Sequence, residues 1–338
     1  MDVSRYVDTV ELKFEVEFIT PCFLGGADGN AEIRTAPFKH GIRYWWRILY
    51  GAKYADRIKE TEDLIFGSTE RLSNVSISIS NIHDSIFTEK IGFPKGKRVS
   101  VSHNGREMKI NILDYLAYGK YDYVKGNGNV YNSSYIKPQT KLLLNIRINN
   151  IGHTDELKDA IKMFIMYGGI GSRSRNGFGS MSADLSNISF SKNVIFSEKP
   201  LTFPVVSSKS KFFRTSPFNT WEDALSEIGE IYKNARNSLE KQHNYEKRGL
   251  ISRPIIVKNE RIPDNITNDR IPKPFYLGIM KYEKQYIGYI LCLPIDFYEK
   301  SNKQEYLVQV DRMTNFFTKQ MKDGSEGFFK QFKGGNSK

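Results

Sequence analysis

Residues 168–180 read GGIGSRSRNGFGS, where Gly169, Gly171 and Gly177 surround Arg173 and Arg175. Glycine is costly in a regular element, so glycines gathered this closely serve a special backbone path or let something approach the main chain. Exposed N–H groups beside guanidinium groups suit an oxyanion, and phosphate is the obvious one. The mononucleotide patterns fail, however. A dinucleotide fingerprint needs glycine where Ser174 stands, and the Gly-Lys pairs at 96 and 119 follow Ile91 and Asp114, not glycine, five residues earlier. No nucleotide cofactor is expected, and a polyphosphate chain such as RNA remains. The alternative is a plain turn between two elements.

A second set of cations stands earlier, in FKHGIRYWWRILYG. Lys39, Arg43 and Arg47 fall four apart on one face of a helix whose apolar stripe is Ile42, Trp45, Trp46 and Leu49. A like-charged row is unfavourable unless a polyanion, or simply water, neutralises it. His40 opens that helix and is the histidine placed to move protons beside bound phosphates. His83, His103, His153 and His243 lack partner spacing, and Asp28 in ADGN reads as a turn residue. Cys22 and Cys292 are isolated in apolar surroundings and read as buried small side chains, so neither a disulfide nor a metal site is expected.

The elements that must position these residues follow from the patterning. The chain has 338 residues, 39% of them hydrophobic, and a formal charge of +12, which points to nucleic acid, an acidic membrane surface or an acidic protein as partner. No apolar run approaches a membrane span and the N-terminal residues lack a signal core, so a cytoplasmic protein without membrane partners is expected. In VELKFEVEFIT, Val10, Leu12, Phe14, Val16 and Phe18 alternate with charged residues, the period of a half-buried strand. VSISISNI and KLLLNIRINN read as further strands. HTDELKDAIKMFIMYGG reads as a helix capped by Thr154, and SMSADLSNISF as the returning strand. The predicted fold class is α+β, with two tandem ferredoxin-like (RRM-type, βαββαβ) domains over residues 1–192 and 193–338. In the second, TWEDALSEIGEIYKNARNSLEKQ is a helix with a capping box at Thr220 and Asp223.

An insertion in the first domain, at about residues 83–139, holds a hairpin turning at Asn104 and Gly105. Lys95, Lys97 and Arg98 stand at its base, and Tyr115, Tyr118, Tyr121, Tyr123, Tyr131 and Tyr135 follow. This interleaving suits base stacking with phosphate neutralisation, and equally a protein contact.

ITPCFLGGADGNAEIRTAPFKHGIRYWWRILYG, EDLIFGS and the glycine loop together resemble the RAMP superfamily of CRISPR-associated proteins, and within it the first-numbered Cmr subunits of type III-B effector complexes. The shared elements are Gly25-Gly26, Glu32 with Arg34, Gly41 to Arg43 with Trp45 to Arg47, and Phe66 to Ser68. RGLISRPIIVKN resembles the family's Arg-x-x-Ser-Pro region, with Arg253 inserted before Pro254. The resemblance implies a non-catalytic scaffold that binds guide RNA (3′ region) and target RNA beside other Cmr subunits, target cleavage belonging to a different subunit. Arg34, Lys39, Arg43, Arg47, Gly169, Gly171, Arg173, Arg175 and Gly177 are the expected RNA contacts. The alternatives are a metal-independent endoribonuclease that processes CRISPR RNA through His40, and a pure protein-docking subunit.

Overall fold

A computed structural model describes residues 9–26, 29–81, 88–89, 93–103, 106–149, 152–241, 244–253, 255, 270–296 and 300–332. The first strand, β1 (Thr9–Phe18), buries Phe14, Val16 and Phe18, while Glu11 and Glu15 face outward and pair with Arg147 and Lys141. It leads to α1 (Thr35–Tyr50), α2 (Ile58–Phe66) and β2 (Val75–Asn81). The insertion carries β3 (Thr88–Glu89), β4 (Arg98–His103), β5 (Arg106–Asn111), α3 (Ile112–Leu116), β6 (Tyr121–Val124), β7 (Gly128–Tyr131) and β8 (Tyr135–Ile136). Then come β9 (Lys141–Asn149), α4 (Thr154–Tyr167) and β10 (Met181–Ser182). The first sheet has the order β10-β1-β9-β2, antiparallel at every pairing.

The second half repeats that arrangement. β11 (Lys211–Arg214) precedes α5 (Trp221–Asn237) and the short α6 (Glu246–Ile251). Next are β12 (Phe275–Tyr282), β13 (Gln285–Cys292), the helix Lys300–Gln320 and β14 (Lys322–Asp323). The sheet order is β12-β13-β11-β14, again antiparallel. Numbered along its own half, each sheet therefore runs fourth, first, third, second. The expected α+β class with antiparallel sheets is the one observed.

The halves stack as sheet, helices, sheet, helices. Helices α1 and α4 cover the inner face of the first sheet with Trp46, Ile161 and Phe164. Their far side meets the second sheet, where Tyr167 stands edge-on to Phe212 and Tyr289, with centroids 5.7 and 5.4 Å away. The opposite face of that sheet, Phe275, Leu277, Ile279 and Ile290, packs on Leu225, Ile228 and Phe317. Burying both faces explains why β12 and β13 are continuously apolar where β1 alternates. The insertion joins the second core through Ile112, Leu113 and Leu116, and Gly229 of α5 admits Leu116.

Several local expectations need correction. Thr154 is the first helical residue of α4, and the N-cap is His153, whose Nδ1 lies 3.1 Å from Glu156 Oε2. SMSADLSNISF forms only two residues of strand, because Asp184 turns the chain by accepting the Ser186 amide. Ahead of β11 the chain turns at Ser207–Ser210, where Ser210 Oγ accepts the Ser207 amide. Thr220 does cap α5, accepting the Asp223 amide at 3.2 Å. The β4–β5 pairing sets His103 opposite Arg106, which leaves the two-residue connection expected; Asn104 and Gly105 lie outside the described residues, as do Asp28, His83 and His243.

Candidate nucleic-acid interface

The glycine loop is the joint between the halves. Several of its main-chain donors bond within the protein: Ile170 N–H donates to Gly179 O, Ser172 to Phe23 O, Asn176 to Arg173 O, and Gly179 to Pro21 O, all between 2.8 and 3.0 Å. Arg175 O accepts from Leu277 N–H of β12, and Ser180 Oγ accepts from Ile279 N–H. The glycines are needed for close packing. At Gly171, φ is 85° and a Cβ would stand 2.7 Å from Phe23 O; at Gly177, φ is 93° and a Cβ would stand 2.4 Å from Leu225 Cδ1. Gly177 is buried and Gly169 and Gly171 are half-buried, so much of the loop packs on its own molecule.

The two arginines of the loop diverge. Arg173 is exposed, beside the half-buried Lys120, whose amine is pushed down by burial and by Arg173. Arg175 turns inward. Its Nη1 donates to Lys273 O at 3.0 Å and its Nη2 to Tyr44 Oη at 2.7 Å, while its guanidinium carbon lies 4.7 Å from the Tyr276 ring centroid. Arg175 therefore ties β12 to α1 on the Tyr44 face of that helix, where the exposed His40 ring also stacks on Tyr44.

The row on α1 faces elsewhere. Arg43 Nη2 lies 2.9 Å from Glu62 Oε2, and Arg47 Nε lies 2.7 Å from Oε1. Glu62 of α2 is 1% exposed. Burial alone would raise its carboxyl pKa, but the hydrogen bonds and charges of Arg47 and Arg43 hold it below the usual value. Arg43 and Arg47 are thus neutralised from within the chain and clamp α1 to α2. Lys39 is half-buried, its amine lowered by burial and by Arg43. Arg34 is exposed, donating to Gly25 O at 2.8 Å with Glu32 3.6 Å away.

Of the six tyrosines singled out, Tyr118 and Tyr123 are exposed, whereas Tyr131 and Tyr135 are buried, Tyr131 stacking on Phe93 at 4.1 Å. Lys97 pairs with Glu230 at 2.5 Å. The sequence reading missed three cations near the loop: Lys120, Lys273 and Arg236. Lys273 stands between Pro272 and Pro274 at the start of an apolar strand, and that isolation was its only signal. Cys22 and Cys292 are buried, with burial raising both thiols. Among the described residues no cluster of His, Cys, Asp and Glu could hold a metal, and no helix is long and apolar enough to cross a membrane.

Comparison with known proteins matches residues 15–182 to the RAMP superfamily. The CRISPR system Cmr subunit Cmr1-2 of Pyrococcus furiosus is 41% identical over 71 residues, which are 20% of this chain and 38% of that relative's length. Crystalline Cmr1 from Pyrococcus furiosus is similar with a TM-score of 0.54 at 16% identity, covering 93% of this chain and 97% of that one. A chain from the Type III-B Cmr-beta complex bound to cognate target RNA gives 0.55 at 14% identity, covering 92% and 100%. At these identities the structural likeness speaks of fold.

Proposed function

From the premise that the chain belongs to the RAMP superfamily through residues 15–182, we propose that it is a Cmr1-like scaffold subunit of a type III-B complex. In this reading it binds guide RNA (3′ region) and target RNA among other Cmr subunits and carries out no cleavage itself. The repeated strand order supports two tandem ferredoxin-like domains, 1–192 and 193–338, with the insertion of the first seated on the second. The outer face of the first sheet carries Glu11, Glu15, Lys141 and Arg147 in ion pairs, so stacking of bases on that face, as in RRM domains, is disfavoured.

The observation that carries the proposal lies at the loop's open edge, where exposed Arg173 adjoins Lys120 and the exposed Tyr118 ring follows two residues before Lys120. Cations beside free aromatic faces are what a single strand uses for phosphate neutralisation and stacking. Arg34, Lys39, Lys120 and Arg173 are the proposed strand contacts. Arg43, Arg47, Gly169, Gly171, Arg175 and Gly177 hold the surface that presents them. Crosslinking in an assembled complex, read at nucleotide resolution, should place adducts on residues 118–120 and 173. Adducts confined to other faces would reject the assignment. Four such contacts predict a log–log salt slope of about −3 for single-stranded RNA, and a slope near zero would remove the electrostatic account.

A further inference from the structure

We propose that Lys273 and Arg236 of the second half, with Arg173 and Arg175 of the glycine loop, form a site for one phosphate oxyanion at the joint between the halves. The proposal deepens the reading above and rests on it only in assigning that phosphate to RNA. Lys273 is buried at 9% exposure, although an ammonium is among the most costly groups to remove from water. Its Nζ donates to Asn176 Oδ1 at 2.5 Å and stands 4.3 Å from the Tyr232 ring centroid. Asn176 is its one acceptor among the described residues, which leaves further protons of an ammonium free. Arg236 lies one helical turn beyond Tyr232, so both look toward the same place. Its Nε is shut off from solvent and has no hydrogen-bond partner. A buried donor left unmade is costly, and native structures rarely tolerate one.

The charges near Lys273 are all of one sign, those of Arg175, Arg236 and Arg173. No described carboxylate forms an ion pair with any of the four. Glu240 lies toward Arg236 but is committed to Arg248, accepting its Nε at 3.0 Å and its amide at 2.9 Å. The tyrosine hydroxyls take part of the load, Tyr115 in a hydrogen bond with Arg236 and Tyr44 accepting from Arg175, but none supplies negative charge. A group with several acceptor oxygens and negative charge would satisfy the Arg236 Nε and the spare protons of Lys273 together. Without one, burial and these three guanidiniums push the Lys273 amine well down.

The test uses the full chain, with inorganic phosphate and a short RNA lacking terminal phosphates as probes. Inorganic phosphate should raise the melting temperature saturably where chloride at equal ionic strength does not. Lys273→Met and Arg236→Met should each weaken phosphate binding by about tenfold or more, the effect expected for losing a charge-assisted bond. Lys273→Met should fold at least as stably as the parent without phosphate, since it removes a buried amine crowded by three guanidiniums. RNA that competes with inorganic phosphate identifies a strand phosphate as the occupant, whereas phosphate binding without RNA binding keeps the site and rejects the RNA reading. No response to phosphate, with RNA binding that still depends on Arg173, rejects the site and keeps that reading.

Discussion

Two groups of arginines that look alike in sequence are treated in opposite ways by the fold. Arg43 and Arg47 converge on the buried Glu62, which takes three hydrogen bonds from them. Arg175 and Arg236, half-buried, stand with the buried Lys273 among aromatic rings and a single side-chain amide, and no described carboxylate forms an ion pair with any of them. Helical spacing tells which face a cation occupies. It says nothing of what waits on the neighbouring element, and that decides whether the cation serves stability or a ligand.

The sharpest way to break the contrast is Glu62→Gln. It would leave two guanidiniums facing a neutral amide at a buried position. Removing one partner of a buried ion pair costs about 3 kcal/mol or more, and because both guanidiniums are about a third exposed the loss here should be about 2 to 3 kcal/mol. Denaturant unfolding should show that loss while RNA affinity at low temperature stays unchanged. A loss near zero would mean the row on α1 is as uncompensated as the loop cluster, and the comparison would fail.

Acid should probe a second compensated centre. Glu156 of α4 accepts from Trp46 Nε1, Lys53 Nζ and Tyr54 Oη and meets His153. Burial opposes ionisation, but these bonds bring its carboxyl down to about 2 from 4.5. Because the folded value is the lower one, the stabilisation is full above about pH 4.5 and fades as pH falls toward 2. Lys53 is 36% exposed, so screening reduces the figure to about 2 kcal/mol. Glu156→Gln should flatten the acid limb of the stability profile and lower the neutral plateau; an unchanged limb would show that other carboxylates dominate.

Much of the scaffold was legible because burial leaves a periodic trace. Phe14, Val16 and Phe18 announce β1, Trp45, Trp46 and Leu49 announce α1, and Thr220 with Asp223 announces α5. β10 was overread because alternation continues through Leu185 after hydrogen bonding to β1 has ended at Met181–Ser182. The site was less legible. The partner of Arg43 and Arg47 lies 15 to 19 residues on, among the acids of KETEDLIF, where no local rule selects Glu62 over Glu60 or Asp63. Lys273 lies about a hundred residues from the loop whose Arg175 donates to its carbonyl, and Arg236 reads as an ordinary cation in the last turn of a helix. The glycines were visible as glycines, but only the fold shows that Phe23 and Leu225 occupy the space their side chains would need.

A smaller effect separates binding from folding. Arg173→Ala should weaken RNA binding about fivefold to tenfold across unrelated sequences and reduce the salt slope by about 0.7, with the melting temperature unmoved. Arg43→Ala should do the reverse, with a stability cost of about 1 kcal/mol because Arg47 still answers Glu62, and with affinity retained. Equal effects of both substitutions on affinity would return the α1 row to the interface.

The smallest expected difference carries the same logic to the outer surface. Lys281 of β12 reaches Glu17 of β1 at 2.7 Å, with side chains 27% and 18% exposed, so this pair links the halves in a partly dry setting. Arg147 and Glu11 pair at 2.6 Å within one sheet, about half exposed on each side. Water and salt screen the second pair far more than the first. Lys281→Met should therefore cost about 1 kcal/mol, a loss that persists in high salt, whereas Arg147→Met should leave the melting temperature unmoved in high salt. If the two substitutions behave alike, the Lys281–Glu17 pair adds nothing to the joint, which the apolar contacts of Tyr167, Phe212 and Tyr289 and the bonds of the glycine loop then hold without it.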